Sequence, residues 1–330
     1  MIMDGANIDL ADLDAVRVYA LPMRTKFRGI TVRQGVLLSG PAGWGDFCPF
    51  QDYSDSQSVP WLAAALEACT RRWPEPVRER IPVNCIVPAV GPEQAREIVT
   101  ASGCTTAKVK VAEPWQSPAE DIERVTAVRD ALGPAGNIRV DANAHWNVDE
   151  AITRIRELER AANGLEYVEQ PCTSLDELAT VRKRVDVRIA ADESIRRADD
   201  PMRVAVAGAA DVAVIKASPL GGVQQALRVA EAAGLPCVVS SAVETSIGLS
   251  AQAALAGSLP ELPFACGLGT AALLDGDVVS DPLLPADGSV PVLRRPPEPD
   301  PAQVAAATPT AGTQRRWLDR LRRVHALLTT

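Results

Sequence analysis

The chain divides into two parts that differ in how apolar and polar positions alternate. Between residues 15 and 50, short apolar runs are interrupted by Gly, Pro and polar residues, which predicts antiparallel strands. Residues 58–80 then repeat apolar positions at helical spacing. After residue 82, short apolar or β-branched runs alternate with helical segments, mostly at intervals of roughly 20 to 30 residues. This second pattern predicts a parallel sheet with right-handed helical crossovers.

Eight runs in the second part are predicted strands. They are residues 83–90, 106–112, 137–143, 165–171, 187–194, 211–218, 236–242 and 264–270. Eight strand–helix units fit a (β/α)8 barrel. The competing architecture is an open doubly wound sheet, which favours a glycine-rich turn after its first strand, and that turn is missing here.

We therefore expect an α/β chain, a (β/α)8-type barrel with an α+β capping domain formed by the N-terminal and C-terminal segments. The predicted parts are a cap over 1–82, a barrel carrying the site over 83–284, and a C-terminal segment over 285–330. The C-terminal segment begins as a Pro/Ala-rich tether or surface loop and ends in a basic amphipathic helix. Its residues Trp317, Leu321, Val324 and Leu328 share one face, which predicts packing against the body; a membrane or partner contact is the alternative.

Composition excludes several classes of function. The chain has 330 residues and a formal net charge of −8, which disfavours binding to nucleic acid or to an anionic membrane. No apolar run approaches the roughly 20 residues that span a bilayer. The first residues lack the basic and apolar regions of a signal peptide, so we expect a cytoplasmic protein. Seven cysteines without a C-x-x-C pair, and two histidines, argue against a zinc site.

Charged residues recur at the C-terminal ends of five consecutive predicted strands. In order they are Lys108 with Lys110, Asp141, Glu169, Asp192 and Lys216. In a barrel these strand ends converge on one mouth. Taken singly, the two aspartates also fit helix N-caps, and the lysines fit an exposed strand face or a snorkelling edge position. Their repetition in successive units favours a single site.

This set of side chains predicts a definite chemistry. Three carboxylates without histidine or cysteine suit Mg²⁺ or Mn²⁺. Lys108 and Lys110 point the same way along their strand and face Lys216 across the mouth. A lysine has a pKa of about 10.4, which neighbouring cations and desolvation lower, so that it becomes a base at neutral pH. With a metal stabilising the enediolate, we expect removal of a proton α to a carboxylate.

The same residues carry a resemblance to a known family. The K-x-K at 108–110, "DAN" at 141–143, "EQP" at 169–171, "DES" at 192–194 and Lys216 resemble the motifs of the enolase superfamily, muconate-lactonizing subgroup. Four further stretches resemble the dehydratases of that subgroup. They are "MRTKFRGI" (23–30), "GWGDFCPF" (43–50), "SSAVETSIGL" (240–249) and "GLGTAALLDGDVV" (267–279).

The resemblance implies a role for each charged residue. Asp141, Glu169 and Asp192 are expected to bind Mg²⁺, for which Mn²⁺ would substitute. Lys110 would remove the α proton and return it to the departing hydroxide. Lys108 would neutralise the substrate carboxylate and help lower the pKa of Lys110. Lys216 would face the other side of the substrate ring as a cation over a π system.

It also implies supporting and substrate-binding residues. Asn143 and Glu193 are expected behind the metal ligands. Backbone N–H groups of four residues at the ends of strands seven and eight would receive a second substrate carboxylate: Ser240, Ser241, Gly267 and Leu268. The loop 24–29 would close as a lid through Arg24, Lys26 and Arg28, or else is a solvated basic loop. The expected partner is a small carboxylate substrate, and the expected state is a monomer or weak oligomer.

Three other functions stay open at this level. Lysines on both faces of an enediolate also permit racemisation or epimerisation of N-acylamino acids or dipeptides. A barrel that binds a metal or a carboxylate without catalysis is a second alternative. A Schiff-base aldolase using Lys216 is weaker, because it does not need three carboxylates.

Overall fold

The computed structural model describes residues 9–196 and 208–329. Residues 1–8, 197–207 and 330, which the predicted cap, barrel and C-terminal segment include, lie outside the described residues. The strands are β1 (Ala15–Phe27), β2 (Ile30–Gly40), β3 (Gly43–Phe47), β4 (Arg80–Pro82), β5 (Cys85–Val87), β6 (Thr106–Lys110), β7 (Asn137–Asp141), β8 (Tyr167–Glu169), β9 (Ile189–Ala191), β10 (Val212–Ile215), β11 (Cys237–Val239) and β12 (Ser289–Pro291). The helices are α1 (Asp55–Thr70), α2 (Pro92–Ser102), α3 (Pro118–Leu132), α4 (Val148–Ala162), α5 (Leu175–Arg182), α6 (Glu193–Arg196), α7 (Ala217–Leu220), α8 (Val223–Ala233), α9 (Ser246–Ser258), α10 (Pro301–Ala306) and α11 (Ala311–Leu328).

Strands β5 to β11 form one parallel sheet in chain order, with helices between successive strands. The eighth predicted strand, 264–270, is reduced to two bridges: Cys266 pairs with Val83 and Gly267 pairs with Ser240. These bridges join the two edges of the sheet, so the barrel is closed. A Cβ at Gly267 would lie 2.5 Å from Ser240 Oγ, so the close approach of the two segments requires glycine.

Alternation along the strands separates the interior of the barrel from the layer under the helices. One hydrophobic cluster lies inside the barrel and consists of Tyr167, Ala190, Val212, Val214 and Val238, with Phe264 packed against it. Residues between them in sequence, such as Val168 and Ala213, belong to the main cluster under the helices. The next inward positions after Tyr167, Val214 and Val238 are polar, so an apolar floor supports a polar layer at the C-terminal end of the barrel.

The cap is a three-stranded antiparallel sheet, in the order β1-β2-β3, with helix α1. A two-residue turn at Arg28 and Gly29 joins β1 to β2, and both residues have positive φ (49° and 78°), as tight hairpin turns require. Helix α1 begins at a capping box in which Ser54 and Gln57 exchange hydrogen bonds.

The C-terminal helix α11 packs on the cap. Trp317, Leu321, Val324 and Leu328, the four residues of its predicted apolar face, are buried in the same hydrophobic cluster as the core of β1, β2 and α1. No helix within the described ranges combines the length and the apolar character that crossing a membrane requires.

The Pro/Ala-rich segment between the barrel and α11 differs from the predicted tether. It contains β12, which pairs antiparallel with β4, and the short helix α10. Asp300 N donates to Val278 O at 2.8 Å, and Ala20 N of the cap donates to Ala307 O at 2.8 Å. The segment therefore packs along the barrel and the cap and is held there by backbone hydrogen bonds. Its proline-rich composition does not predict these bonds.

Candidate active site

The charged residues singled out in the sequence meet at the C-terminal end of the barrel. Lys110 is in register with Asp141, and Asp141 with Glu169, across three neighbouring strands. Asp192 and Lys216 directly follow β9 and β10. All six charged side chains, including Lys108, belong to residues that are at most 6% exposed. The exposed-face and edge alternatives for the lysines are therefore wrong.

Each ammonium group contacts a carboxylate. Lys108 Nζ lies 2.5 Å from Glu169 Oε1 and 2.9 Å from Asp141 Oδ2. Lys110 Nζ lies 2.6 Å from Asp141 Oδ2, and Lys216 Nζ lies 2.6 Å from Asp192 Oδ2. Helix α4 takes its N-cap from Asn147, so Asp141 is not the cap of the helix that follows β7. Three positive and three negative charges thus compensate one another in a buried layer.

Burial and ion pairing act against each other on these groups. Burial works to raise the pKa of Asp141, but Lys108 and Lys110 outweigh it and hold that pKa well below its usual range. Burial works to lower the pKa of Lys108, yet Asp141 and Glu169 raise it well above its usual value. Burial, with Asp141 next, raises the pKa of Glu169. Lys108 is therefore a fixed cation at neutral pH.

Two amide side chains fix the geometry behind this layer. Asn143 Oδ1 accepts a hydrogen bond from Lys110 Nζ at 2.6 Å, and Asn143 Nδ2 donates to Glu193 Oε1 at 3.2 Å. Gln170 Oε1 accepts from the backbone N–H groups of Asp192 (3.0 Å) and Ser194 (3.1 Å). Gln170 thereby orients the segment that carries Asp192. It is the middle residue of the motif "EQP", and no role was predicted for it.

The donor chemistry of the site fits a divalent cation. Glu169 Oε2 is buried and has no hydrogen-bond partner in the part of the chain that the structure describes. A buried carboxylate oxygen with a free lone pair is the kind of ligand that Mg²⁺ takes. In that same part of the chain, no three carboxylate, imidazole or thiol groups form a ready-made metal cluster. The three-carboxylate ligand set therefore stays a prediction.

A pocket opens onto the charged layer. Its apolar walls are Phe27, Phe50, Ile86 and Val243, and its other polar groups include Arg28, Ser240, Ser241 and Thr270. Phe27, Phe50 and Thr270 stand within the motifs quoted above but had no predicted role, because an isolated aromatic or threonine carries no signal of its own. A lining that combines apolar side chains with cationic and hydroxyl groups suits a small ring that bears carboxylates.

The predicted substrate-binding residues divide into two groups. Ser240, Ser241 and Arg28 line the pocket, whereas Gly267 and Leu268 are not among its described lining residues. The backbone N–H groups of Ser240 and Gly267 donate to Ile215 O (3.0 Å) and Val239 O (2.8 Å). The prediction that these two N–H groups receive a carboxylate is therefore wrong, because the sheet uses the first and barrel closure uses the second. The Ser241 hydroxyl is also engaged, since it donates to Gly267 O and lies 2.8 Å from Thr270 Oγ1. The Ser240 side chain lines the pocket beside it.

The loop 24–29 is the tip of the β1–β2 hairpin and contacts the barrel mouth. The Arg28 guanidinium lies 4.6 Å from the centre of the Phe50 ring and 3.9 Å from Glu193 Oε1. Lys26 Nζ lies 4.2 Å from the centre of the Trp115 ring, on the loop after β6. Arg24 points elsewhere and pairs with Asp275 at 3.2 Å on the surface. Arg28 is thus held at the barrel mouth, whereas Arg24 and Lys26 are exposed. Closure over a ligand and a solvated basic loop both stay predictions.

Comparison with family models places most of the chain in known domains. Residues 92–296 match the family described as "Enolase C-terminal domain-like", and residues 18–69 match "Enolase N-terminal domain-like". Among solved structures, the L-Ala-D/L-Glu epimerase from Bacillus subtilis is 25% identical, with a TM-score of 0.73 over 86% of this chain and 96% of that one. The 2-chloromuconate cycloisomerase from Rhodococcus opacus is 21% identical, with a TM-score of 0.76 over 90% and 99%. The barrel-and-cap fold is thus confirmed.

Curated relatives are more similar still. The o-succinylbenzoate synthase of Thermobifida fusca is 62% identical over 278 residues, which are 84% of this chain and 87% of that protein. The o-succinylbenzoate synthase of Mycolicibacterium smegmatis is 49% identical over 317 residues, 96% of this chain and 97% of that protein. The resemblance to the enolase superfamily is confirmed, and the chain belongs to the o-succinylbenzoate synthase family within it.

Proposed function

We propose that this chain dehydrates 2-succinyl-6-hydroxy-2,4-cyclohexadiene-1-carboxylate to 2-succinylbenzoate, a hydro-lyase reaction of menaquinone biosynthesis. The observation that carries the proposal is the pair Lys110 and Lys216. They lie on β6 and just after β10, with three strands between them, and both line one pocket together with Asp141 and Asp192. A flat substrate between the two lysines would have an amine on each face.

Asp141, Glu169 and Asp192 would hold the divalent metal, Mg²⁺ with Mn²⁺ as a substitute, and the bound ion supplies positive charge that stabilises an enediolate. The buried, unpartnered Glu169 Oε2 supports this ligand set. Lys108 would stay protonated and would add a fixed positive charge beside the substrate carboxylate, which favours the same developing negative charge.

Lys110 would act as the base. Its Nζ takes the proton from the carbon next to the carboxylate, and the electron pair of the broken C–H bond moves toward the carboxylate to give the enediolate; this pair returns to form the last ring double bond when the hydroxyl leaves. The same ammonium then donates a proton to the hydroxyl as its C–O bond breaks, so water leaves from the face on which it was bound. Asp141 Oδ2 and Asn143 Oδ1, each 2.6 Å from Nζ, hold the amine in place for both transfers.

Lys216 would remain a cation on the opposite face of the ring. Its pairing with Asp192 keeps it at the pocket wall, where it stabilises the electron-rich ring. The hydroxyls of Ser240 and Thr270, together with Arg28, are the groups we propose for the succinyl carboxylate, with Ser241 holding Thr270 in place through the contact between their hydroxyls. Phe27 and Phe50 would exclude water from the ring.

The remaining expectations complete the proposal. The partner is a small carboxylate molecule rather than a nucleic acid, the protein is a monomer or weak oligomer, and it works in the cytoplasm. The three parts 1–82, 83–284 and 285–330 are the proposed domain division.

The placement of two lysines in one pocket also keeps one alternative reaction open. A racemase or epimerase of N-succinylamino acids or dipeptides would use the same pair, one lysine removing the α proton and the other returning it. Exchange of the α proton of an N-succinylamino acid in D₂O tests it. Exchange with turnover far above that of the cyclohexadiene substrate would make racemisation the main function.

An absorbance assay of aromatisation tests the proposed dehydration. Purified protein with Mg²⁺ should convert the cyclohexadiene to the benzoate, and EDTA should abolish the change until excess Mg²⁺ or Mn²⁺ is added. Protein that binds the substrate with Mg²⁺ but gives no absorbance change would instead be a non-catalytic binding protein. Trapping of a carbonyl substrate on Lys216 by borohydride would point to an aldolase.

A further inference from the structure

The loop after β11 forms one wall of the pocket in a strained conformation. Ser240, Ser241, Ala242 and Val243 all line the pocket. Val243 has a φ of +61°, in the left-handed region that a β-branched residue almost never adopts. Such a conformation persists only where the surroundings hold it, and it is concentrated at functional sites.

A buried arginine of the cap holds this wall. Arg33 of β2 is 2% exposed. Its Nε donates to Val243 O at 2.9 Å, and its Nη2 donates to Ala242 O at 3.1 Å and also to Cys48 O. The guanidinium lies 4.5 Å from the centre of the Phe50 ring, which is another wall of the pocket. One cap side chain thus ties two consecutive carbonyls of the barrel loop to the cap.

The N–H groups of the loop are held from two other directions. Glu244 Oε2 accepts from Ala242 N at 2.6 Å. Asp46 of β3 accepts from Thr245 N at 3.1 Å and from Thr245 Oγ1 at 2.8 Å. The loop thus has both carbonyl and N–H groups in hydrogen bonds. Loss of the Arg33 bonds would free the Ala242 and Val243 carbonyls and let Val243 leave the left-handed conformation.

We propose that Arg33 is a positioning residue for substrate recognition. It keeps Val243 in the left-handed conformation, and this fixes the wall formed by Ser240 and Ser241 against which the succinyl arm binds. The identity of that ligand rests on the function proposed above. Because Lys110 and Lys216 are on other strands and do not contact Arg33, losing Arg33 should weaken binding more than it slows the chemical step.

The test combines Arg33→Met with Val243→Gly in a double-mutant cycle. Arg17→Met, an exposed arginine of the same cap sheet, is the matched control. The ligand readout is the Kd for 2-succinylbenzoate by calorimetry, with KM and kcat for dehydration beside it. Arg33→Met should raise Kd and KM about 10-fold or more, since each lost bond involves a charged donor, and should change kcat less than about 3-fold.

Glycine at 243 adopts positive φ without strain, so it should remove part of the need for Arg33. Arg33→Met should raise Kd by one factor in the wild-type background and by a smaller factor in the Val243→Gly background. The second factor should be at least about 3-fold smaller than the first. A crystal structure of Arg33→Met should show Val243 with negative φ, and Arg17→Met should match wild type in every readout.

Three results would overturn the inference. The first is a positive φ at Val243 in Arg33→Met, and the second is an unchanged Kd. The third is a fall in kcat as large as the rise in KM, with both effects of Arg33→Met undiminished when residue 243 is glycine. Failure of the proposed function looks different: wild-type protein would bind 2-succinylbenzoate without dehydrating the cyclohexadiene. The inference is then decided by Kd and by the conformation of Val243.

Discussion

At the scale of single residues, the main feature is a strand that buries two lysines. Lys108 and Lys110 lie on apolar β6, and both contact Asp141 of the neighbouring strand β7. Sequence spacing predicted all six charged residues of the layer, because they recur at or near the C-terminal ends of successive strands. It did not predict which ammonium contacts which carboxylate, because that depends on the register of neighbouring strands.

Removing one lysine should therefore lower the stability of the folded protein, because buried carboxylates lose their compensating charge. Lys108→Met leaves Glu169 and Asp141 with less compensating charge in a buried site, so we expect a loss of about 3 kcal/mol in the free energy of unfolding. Urea denaturation measures it, and the loss should shrink in millimolar Mg²⁺ if the carboxylates bind the ion. The exposed Lys183→Met is the control and should stay within about 0.5 kcal/mol of wild type. Equal stability of the two variants would refute compensation by Lys108.

Asp46 should give the stability a specific pH dependence. Burial, only partly offset by the Thr245 hydrogen bonds and Arg33, raises its pKa to about 6. The folded state therefore binds a proton that the unfolded chain has already lost, between pH about 3.8 and about 6. The stabilisation by protonated Asp46 is complete below this window and is lost as the pH rises through it.

The comparison with Asp46→Asn isolates this effect, because other groups titrate alike in both proteins. The free energy of unfolding of wild type minus that of Asp46→Asn should fall by about 2 kcal/mol between pH 4 and pH 7. Urea denaturation across this range measures it. A difference that stays flat or rises with pH would show that Asp46 is not a destabilised buried carboxylate.

At the scale of elements, four predicted strands extend beyond the C-terminal ends of the observed ones for a shared reason. Ala112, Asn143, Gln170 and Val243 have positive φ just beyond barrel strands, and there the chain leaves the sheet toward the site. Apolar periodicity continues through these positions, and among them only Asn143 is a residue type that favours this conformation. Sequence therefore predicts that a strand exists but not where it ends.

The C-terminal helix was predictable in both position and buried face, since its apolar residues recur at helical spacing. Leu321 is 2% exposed and Leu327 is 49% exposed, so one helix offers a matched pair. Leu321→Ala should cost about 2 to 5 kcal/mol through the cavity it leaves in the cap. Leu327→Ala should cost less than about 0.5 kcal/mol. Similar losses in urea denaturation would mean that α11 does not pack on the cap as described.

At the scale of the whole molecule, the sequence predicted the architecture because each βα unit repeats the same pattern. The closing bridges at Cys266 and Gly267, and the cap contacts of Arg33 and Asp46, join segments distant in sequence. No local pattern marks such pairs. The cap supplies Phe27, Arg28 and Phe50 to a pocket whose lysines and carboxylates come from the barrel. The barrel is thus expected to perform the chemistry and the cap to enclose the substrate.

The most direct test of this account is the rate of aromatisation by Lys110→Ala, compared with wild type and with the exposed-lysine control Lys183→Ala. Lys110→Ala should bind 2-succinylbenzoate in the presence of Mg²⁺ and should lose at least about 1,000-fold in kcat, because no other group at that position removes the proton. Lys183→Ala should match wild type. A Lys110→Ala protein with a near wild-type rate would contradict the central claim that Lys110 is the base.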